Sequence, residues 1–317
     1  MIPKLLNNRE FIRIAMSVGI IGLMVMTAEI TQCKEIIFPE ISAICLGALI
    51  SPKFAWNTSK ARMVICITIC ALCGYLISLS IPTEYIKIRL LLAFVVGNIV
   101  LLFSKTGFVP MLSAIILPVM MNTDTFIYPL SAFLLTLAVI TILSLLEREG
   151  IKEKYGYRPE LVNTKREKDT FLQRLFVYAV LLIIFTAADC QLALAPPLIV
   201  AFTELCHPNN KARKQPVKVC FLMCISAFIG DITKLIVCTL YGIPLFVGVM
   251  FAVSMVIVIL RYCDIYMSPI LAMTTLAFLF EFETLYTFKI TVGFSVLMWC
   301  ARFFFTEDNI FFKTRTK

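Results

Sequence analysis

The sequence is poor in charged residues and holds a single histidine. Lys, Arg, Asp and Glu make up 15% of its 317 residues. It has no HExxH motif and no Walker lysine loop, and residues 228–231 lack the first glycine of the GxGD motif of intramembrane aspartyl proteases. Its twelve cysteines lie largely within apolar stretches, where cysteine behaves as a small apolar residue. We therefore expect neither an enzyme nor a metal or cofactor site.

Apolar residues dominate what is present. Hydrophobic residues make up 60% of the chain, and its mean hydropathy is +0.91. Runs of about twenty apolar residues can cross a bilayer as helices. The pattern predicts an all-α polytopic membrane protein with about 12 transmembrane segments, with the lipid bilayer as a partner. The predicted segments are 12–32, 36–50, 63–81, 88–103, 108–121, 126–146, 172–190, 192–206, 217–239, 244–260, 266–280 and 286–305.

The basic residues predict the orientation of these segments. If all twelve cross, 24 of the 29 Lys and Arg residues fall on the side of the N-terminus, and five remain opposite. Such a bias is typical of cytoplasmic loops, and it accounts for the net charge of +9 without nucleic acid as a partner. We expect an integral protein of the plasma membrane with both termini cytoplasmic. Segments 36–50 and 192–206 are short, because fifteen residues give about 22 Å of helix against about 30 Å of hydrocarbon.

The two sets of six segments resemble each other. Three matched positions support the comparison. Pro52 matches Pro208 and Gly74 matches Gly230 in one register, and after a three-residue insertion Pro110 matches Pro269. An even number of segments in each copy predicts parallel repeats, and parallel repeats in transporters hold a solute site between the halves. The predicted organisation is a first membrane repeat at 1–146, a charged cytoplasmic linker at 147–171 and a second membrane repeat at 172–317.

The second half also carries a recognisable pattern of proline and small residues. A short apolar segment ends at Pro208, Gln215-Pro216 follows, and Met267–Pro269 opens a segment rich in Ala and Thr. This pattern resembles the HPP family of integral membrane proteins, although Tyr266–Pro269 stand where that family has His-Pro-Pro. The resemblance implies a six-segment membrane unit and, through some members, transport of small anions such as nitrite. The chain is also similar to aromatic acid exporters of the fusaric-acid-resistance type.

Charged residues inside apolar segments are candidate functional groups, because burying them is costly. Asp231 and Lys234 share a helix face and are candidates for an anion or proton site, with a structural ion pair as the alternative. Tyr75 and Ser78 stand at the matching positions of the first half. Proline is favoured in the first turn of a helix, whose free N–H groups attract anions. The remaining substrate-binding candidates are therefore Pro39, Glu40, Pro196 and Pro197.

Four further residues are candidates for proton coupling. Glu29 and Asp189 occupy matching positions at the ends of the first helix of each half. Glu204 and His207 flank the cytoplasmic end of segment 192–206, as end caps or as a gate. Together these patterns predict a secondary transporter of a small solute, a small or organic anion, with its site between the repeats. The alternative is a non-transporting membrane subunit of a larger complex, and the sequence leaves homo-oligomer formation open.

Overall fold

The structure is a computed structural model that describes residues 7–157, 164–207, 210–280 and 285–305. Within these ranges it is built from helices alone, which confirms the predicted all-α class. Twelve helices are labelled in chain order: α1 (Asn8–Thr31), α2 (Glu40–Ile44), α3 (Lys60–Ser80), α4 (Ile86–Ser104), α5 (Met111–Met120), α6 (Ile127–Arg148), α7 (Thr164–Ala187), α8 (Pro196–Leu205), α9 (Pro216–Thr233), α10 (Leu245–Cys263), α11 (Ser268–Leu279) and α12 (Tyr286–Phe304).

Eight of these helices are long and apolar enough to cross a membrane. They are α1, α3, α4, α6, α7, α9, α10 and α12, and no more than half of the most apolar window of each helix is buried inside the molecule. The exposed faces carry large apolar side chains, such as Phe103, which is 83% exposed, and Ile30, which is 73% exposed. Apolar exposure on this scale suits a lipid environment. The protein is therefore a polytopic helical membrane protein.

The other four helices, α2, α5, α8 and α11, are short and buried. A π-helical segment (Cys45–Ile50) continues α2, whereas α5 and α8 have ten residues each and α11 has twelve. Every residue of α11 is buried. The sequence analysis singled out 36–50 and 192–206 as short, and the predicted segments 108–121 and 266–280 are no longer than these two. Helices α5 and α11 are also short because their apolar runs open with non-helical residues and helix begins only around Pro110 and Pro269.

Close helix packing fixes the short helices against the long ones. A Cβ atom added at Gly74 of α3 would lie 2.3 Å from the carbonyl oxygen of Ile115 in α5. A Cβ atom added at Gly230 of α9 would lie 2.5 Å from the carbonyl oxygen of Thr274 in α11. Only glycine permits backbones to approach so closely, as small residues do at helix contacts in membranes. The two halves thus have a glycine at equivalent helix crossings, α3 with α5 and α9 with α11.

The described part of the linker lies against the first half. Tyr157 accepts a hydrogen bond from Arg62 Nη1 at 2.7 Å, and its own hydroxyl donates to the Lys105 carbonyl at 3.0 Å. Lys60 forms an ion pair with Glu147 at 2.5 Å. These contacts tie the end of α6 and the following residues to the start of α3. Residues 158–163 of the predicted linker, the two chain ends at 1–6 and 306–317, and the predicted match Pro208 lie outside the described residues.

Candidate functional site

The four short helices meet at one place inside the molecule. Helix α2 packs against α11, and α5 packs against α8, so each contact joins one half of the chain to the other. A narrow, tightly packed pocket without room for a water molecule lies where they meet. We call this pocket the junction. It is lined by two residues from the first turns, or just before them, of each short helix: Glu40, Ala43, Pro110, Ser113, Pro197, Val200, Pro269 and Ala272.

The local sequence explains why helix beginnings meet there. Pro110 is the N-cap of α5, and α8 and α11 have proline in their first two positions. Proline fixes φ near its helical value and needs no hydrogen-bond partner for a backbone N–H, so it favours the start of a helix. The N-terminal turns of α5, α8 and α11 therefore bring the positive ends of their dipoles to the junction. Several backbone N–H groups of these turns already donate to backbone carbonyls, namely those of Leu112, Ser113, Leu198, Ile199 and Ile270.

Glu40 brings a carboxylate to this positive environment. Its side chain is 1% exposed, and Ser113 Oγ donates a hydrogen bond to its Oε1 atom. The Oε2 atom is buried and has no hydrogen-bond partner among the described residues. A buried polar atom without a partner is costly, and a bound proton or ligand would satisfy it. Glu40 is the one ionisable residue among the eight that line the junction.

The far end of α2 is held by two basic side chains. At the end of its π-helical continuation, Arg13 Nη1 donates to the Leu49 carbonyl at 3.4 Å and Lys152 Nζ donates to the Ser51 carbonyl. Burial, with a smaller contribution from the nearby Arg13, lowers the pKa of Lys152 to about 8. Cations at the C-terminal end of a helix stabilise its dipole. The arrangement keeps positive charge at the far end of α2 and carboxylate at its beginning.

Helix α11 also has a basic side chain at its C-terminal end, and this side chain belongs to Lys234, a predicted site residue. Lys234 Nζ donates to the carbonyls of Ala277, at 3.1 Å, and Phe280. Asp231 lies within electrostatic range of Lys234 and accepts a hydrogen bond from Thr287 at 3.4 Å. The predicted pair therefore lies at the C-terminal end of α11, at the opposite end from the junction.

Tyr75 and Ser78, the matching residues of the first half, also make contacts near the ends of helices. Tyr75 packs edge-to-face against Phe126, with ring centroids 6.0 Å apart. Ser78 is buried, and its carbonyl accepts a hydrogen bond from Arg89 Nη2 at 2.6 Å. Arg89 also donates to Asn122 Oδ1 at 2.7 Å, just beyond α5. These positions lie away from the junction.

A second carboxylate bridges the two halves at the other end of α8. Glu204 Oε1 accepts hydrogen bonds from Trp56 Nε1 at 3.2 Å and Ser268 Oγ at 3.3 Å. The Trp56 ring occupies the space beside Gly47, where an added Cβ atom would lie 2.3 Å from it. It also packs edge-to-face against Phe108 at 5.1 Å. Trp56 and Glu204 therefore join the two halves beside the first residue of α11.

The other proton-coupling candidates lie outside the junction. Both oxygens of Glu29 accept backbone hydrogen bonds from the first turn of α10, from Leu245 at 3.0 Å and Phe246 at 3.4 Å. Glu29 thus caps α10. Asp189, its match in sequence, is exposed and has a φ of 51° in the turn after α7. His207 is exposed beyond the end of α8.

Among the predicted substrate-binding residues, Glu40 and Pro197 line the junction, and Pro39 and Pro196 precede them directly. Sequence reasoning missed Ser113. Its signal was available, because a hydroxyl three residues after Pro110 lies in the first turn of a helix and can face the same way as the helix start.

Comparisons with known proteins yield no match to any family model, curated protein or solved structure.

Proposed function

We propose that the protein is a secondary transporter that carries a small solute, a small or organic anion, across the plasma membrane at the junction. The observation that carries the proposal is the meeting of three helix N-termini with a buried, half-bonded carboxylate at the contact between the two halves. Short helices that begin at mid-membrane and face a polar group are a recurring design of transporter sites.

The chemistry of the junction favours a small anion. Helix N-termini carry positive partial charge, which suits a carboxylate or an oxyanion. Ser113 adds a hydroxyl donor, and the other lining residues are Ala, Val and Pro. The junction is too tightly packed in this conformation to hold a solute, so the proposal requires the two halves to separate when the anion enters. The contact of Trp56 with Glu204 joins the halves in this conformation.

Twelve crossings and parallel repeats are part of this proposal. Two pairs of contacts support the repeat register. Gly74 meets the carbonyl of Ile115 as Gly230 meets that of Thr274. The hydroxyl of Tyr128 donates to the Ala114 carbonyl at 3.0 Å, and that of Tyr286 donates to the Met273 carbonyl at 3.1 Å. In both pairs the carbonyls differ by the same 159 residues (274 − 115 and 273 − 114).

The first copy has one residue more than the second between the junction and the following loop. Ala43 and Val200 line the junction, and they precede the matched Pro52 and Pro208 by nine and eight residues (52 − 43 and 208 − 200). The π-helical segment Cys45–Ile50 accounts for the difference, because a π-bulge accommodates one inserted residue in a helix. The extra residue thus supports a common origin of α2 and α8.

Membership of the HPP family, or of the fusaric-acid-resistance type, would agree with this function and stays a prediction. Both termini are proposed to be cytoplasmic. The alternative of a membrane subunit that moves no solute predicts that the purified protein shows no solute-dependent behaviour.

Uptake into proteoliposomes tests the proposal. Purified protein is reconstituted, and uptake of labelled nitrate, nitrite, formate and benzoate is followed against protein-free liposomes. We expect saturable uptake of at least one anion, and a higher KM in Ser113→Ala because one donor of the junction is lost. Ser254→Ala is the matched control, because that hydroxyl bonds only within α10, to the Met250 carbonyl at 2.7 Å. Uptake equal to that of empty liposomes for all four anions would contradict the proposal.

A further inference from the structure

Glu40 has features that anion binding alone does not explain. An ionised carboxylate would repel an anion that enters the same pocket, since like charges a few ångströms apart cannot both persist in a water-poor interior. Yet the carboxylate lies at the centre of the junction, and its Oε2 atom is left without a hydrogen-bond partner among the residues that the structure describes. Protonation of Glu40 when the anion binds would remove this repulsion and satisfy Oε2.

We propose that Glu40 is the proton-coupling site of the transporter, and that it takes up one proton on Oε2 together with each monovalent anion. The inference rests on the proposed function. The bond formed is O–H on Oε2, and the same bond breaks when anion and proton leave on the other side. One positive and one negative charge move together, so the transport cycle carries no net charge.

Ser113 and the helix ends stabilise the two states of Glu40 in turn. Without solute, the ionised carboxylate accepts the Ser113 hydrogen bond and faces the positive ends of α5, α8 and α11. With solute, the anion takes over those positive ends, and the protonated carboxyl donates its new O–H group to it. The otherwise costly Oε2 atom is satisfied in the loaded state.

A metal cation is a poor alternative at this place. Sodium-like ions in transporters are coordinated by several carbonyl oxygens and by the C-terminal ends of broken helices. The junction presents helix N-termini instead, and its oxygen-bearing side chains are Glu40 and Ser113 among eight lining residues. A proton needs one oxygen only, and it is compatible with the positive helix ends because it neutralises the carboxylate.

Few titratable groups face Glu40 from the elements that surround it. Helix α11 has no charged or titratable residue, and α5 contributes Ser113. Helix α8 contributes Glu204 near its C-terminal end, where the carboxylate accepts hydrogen bonds from Trp56 and Ser268. The phenol of Tyr128 on α6 lies within electrostatic range, and its hydroxyl is bonded to the Ala114 carbonyl. The other titratable groups on α1, on α6 and on the continuation of α2 are Arg9, Glu10, Arg13, Glu29, Glu147, Arg148 and Cys45.

None of those groups lines the junction. They form ion pairs or hydrogen bonds with other residues, are exposed, or lie in the π-helical segment. Glu10 pairs with Arg261 at 2.7 Å, and Glu147 pairs with Lys60. Arg13 and Glu29 serve the helix ends described above. Arg9 and Arg148 are exposed. Cys45 is a buried thiol within the π-helical segment. Among these described groups, Glu40 is the carboxylate that lies in the pocket itself.

The test follows nitrate and protons together in proteoliposomes that contain a pH-sensitive dye, with benzoate in parallel. Nitrate is chosen because its conjugate acid is too strong to cross the bilayer in neutral form. For the wild type we expect one proton to enter with each nitrate, and we expect uptake that is unaffected by a potassium–valinomycin potential. Glu40→Gln mimics the protonated state. It should keep nitrate exchange, abolish the pH change and make net uptake sensitive to the potential.

Glu40→Asp keeps a carboxyl group and should retain proton movement. Glu29→Gln is the control that leaves the coupling ratio intact, because Glu29 bonds to the first turn of α10, outside the junction. Proton entry in Glu40→Gln equal to that of the wild type would overturn the inference, as would loss of exchange in that variant. An infrared pH titration of the purified protein separates the two proposals. A protonated-carboxyl band that titrates in the wild type and is absent in Glu40→Gln supports the proton site even if no anion is transported. Absence of any difference in that band contradicts it.

Discussion

The crossing of α3 and α5 can be tested by adding one methyl group at Gly74. The Cβ atom of Gly74→Ala would lie 2.3 Å from the carbonyl oxygen of Ile115 and 2.6 Å from Pro118 Cγ. Neither neighbour can turn aside, because one is backbone and the other is a ring, so the helices must separate by about 1 Å to reach ordinary contact. Overpacking of this kind costs about 3 kcal/mol, and the better helix propensity of alanine returns about 1 kcal/mol.

We therefore expect Gly74→Ala to lower the free energy of unfolding by about 2 kcal/mol, or about thirtyfold in the folding equilibrium. The assay is reversible unfolding by sodium dodecyl sulfate in mixed micelles, followed by tryptophan fluorescence. Gly230→Ala should behave alike, since its Cβ atom would lie 2.5 Å from the Thr274 carbonyl oxygen. Gly19→Ala is the control, because nothing lies within 4 Å of its Cβ position. Equal stability of Gly74→Ala and Gly19→Ala would refute the reasoning.

Three other variants have distinct expected outcomes. The pKa of Lys152 is lowered to about 8, and the unfolded chain titrates near 10.4, so between these values the unfolded state binds more protons and stability rises with pH. Lys152→Met should flatten that rise in the melting temperature measured in detergent, and an unchanged slope would contradict the assignment. Glu29→Gln removes a charge from the N-terminus of α10 and should cost about 0.5–1 kcal/mol in the micelle assay, whereas no loss would argue against the cap. Lys234→Met should lower stability and leave the KM for the anion unchanged, whereas a raised KM would return Lys234 to the solute site.

The sequence predicted the class of the fold because that class depends on the solvent. Every span in lipid must satisfy its own backbone hydrogen bonds, so long apolar runs in a polytopic chain imply helices. The lengths of the short helices were harder to predict. Apolar residues before Pro110 and Pro269 continue the hydrophobic pattern although they are not helical. Hydropathy therefore overestimated all four short helices by three to five residues each, with the π-helical segment counted in α2.

Only part of the site could be predicted, because its arrangement depends on contacts between residues that are distant in sequence. Glu40 and Pro197 were accessible from sequence, because proline at a helix start is a local signal. Which charged residue lies at the centre depends on tertiary contacts. Lys234 was a strong candidate by sequence, but its long side chain reaches the carbonyls that end α11. Glu29 was another, and it caps a helix 216 residues away in the chain. A sequence pattern does not specify partners so distant.

The most direct test of the account is the position of a bound anion. Crystals of the protein grown at acidic pH in bromide would reveal that ion through its anomalous scattering. The account predicts a bromide peak in the junction, within hydrogen-bond reach of Ser113 Oγ and the first turns of α5, α8 and α11, and its disappearance in crystals grown at alkaline pH, where Glu40 is ionised. Bromide bound only elsewhere, such as beside Lys234 or on the loops, would contradict the central claim.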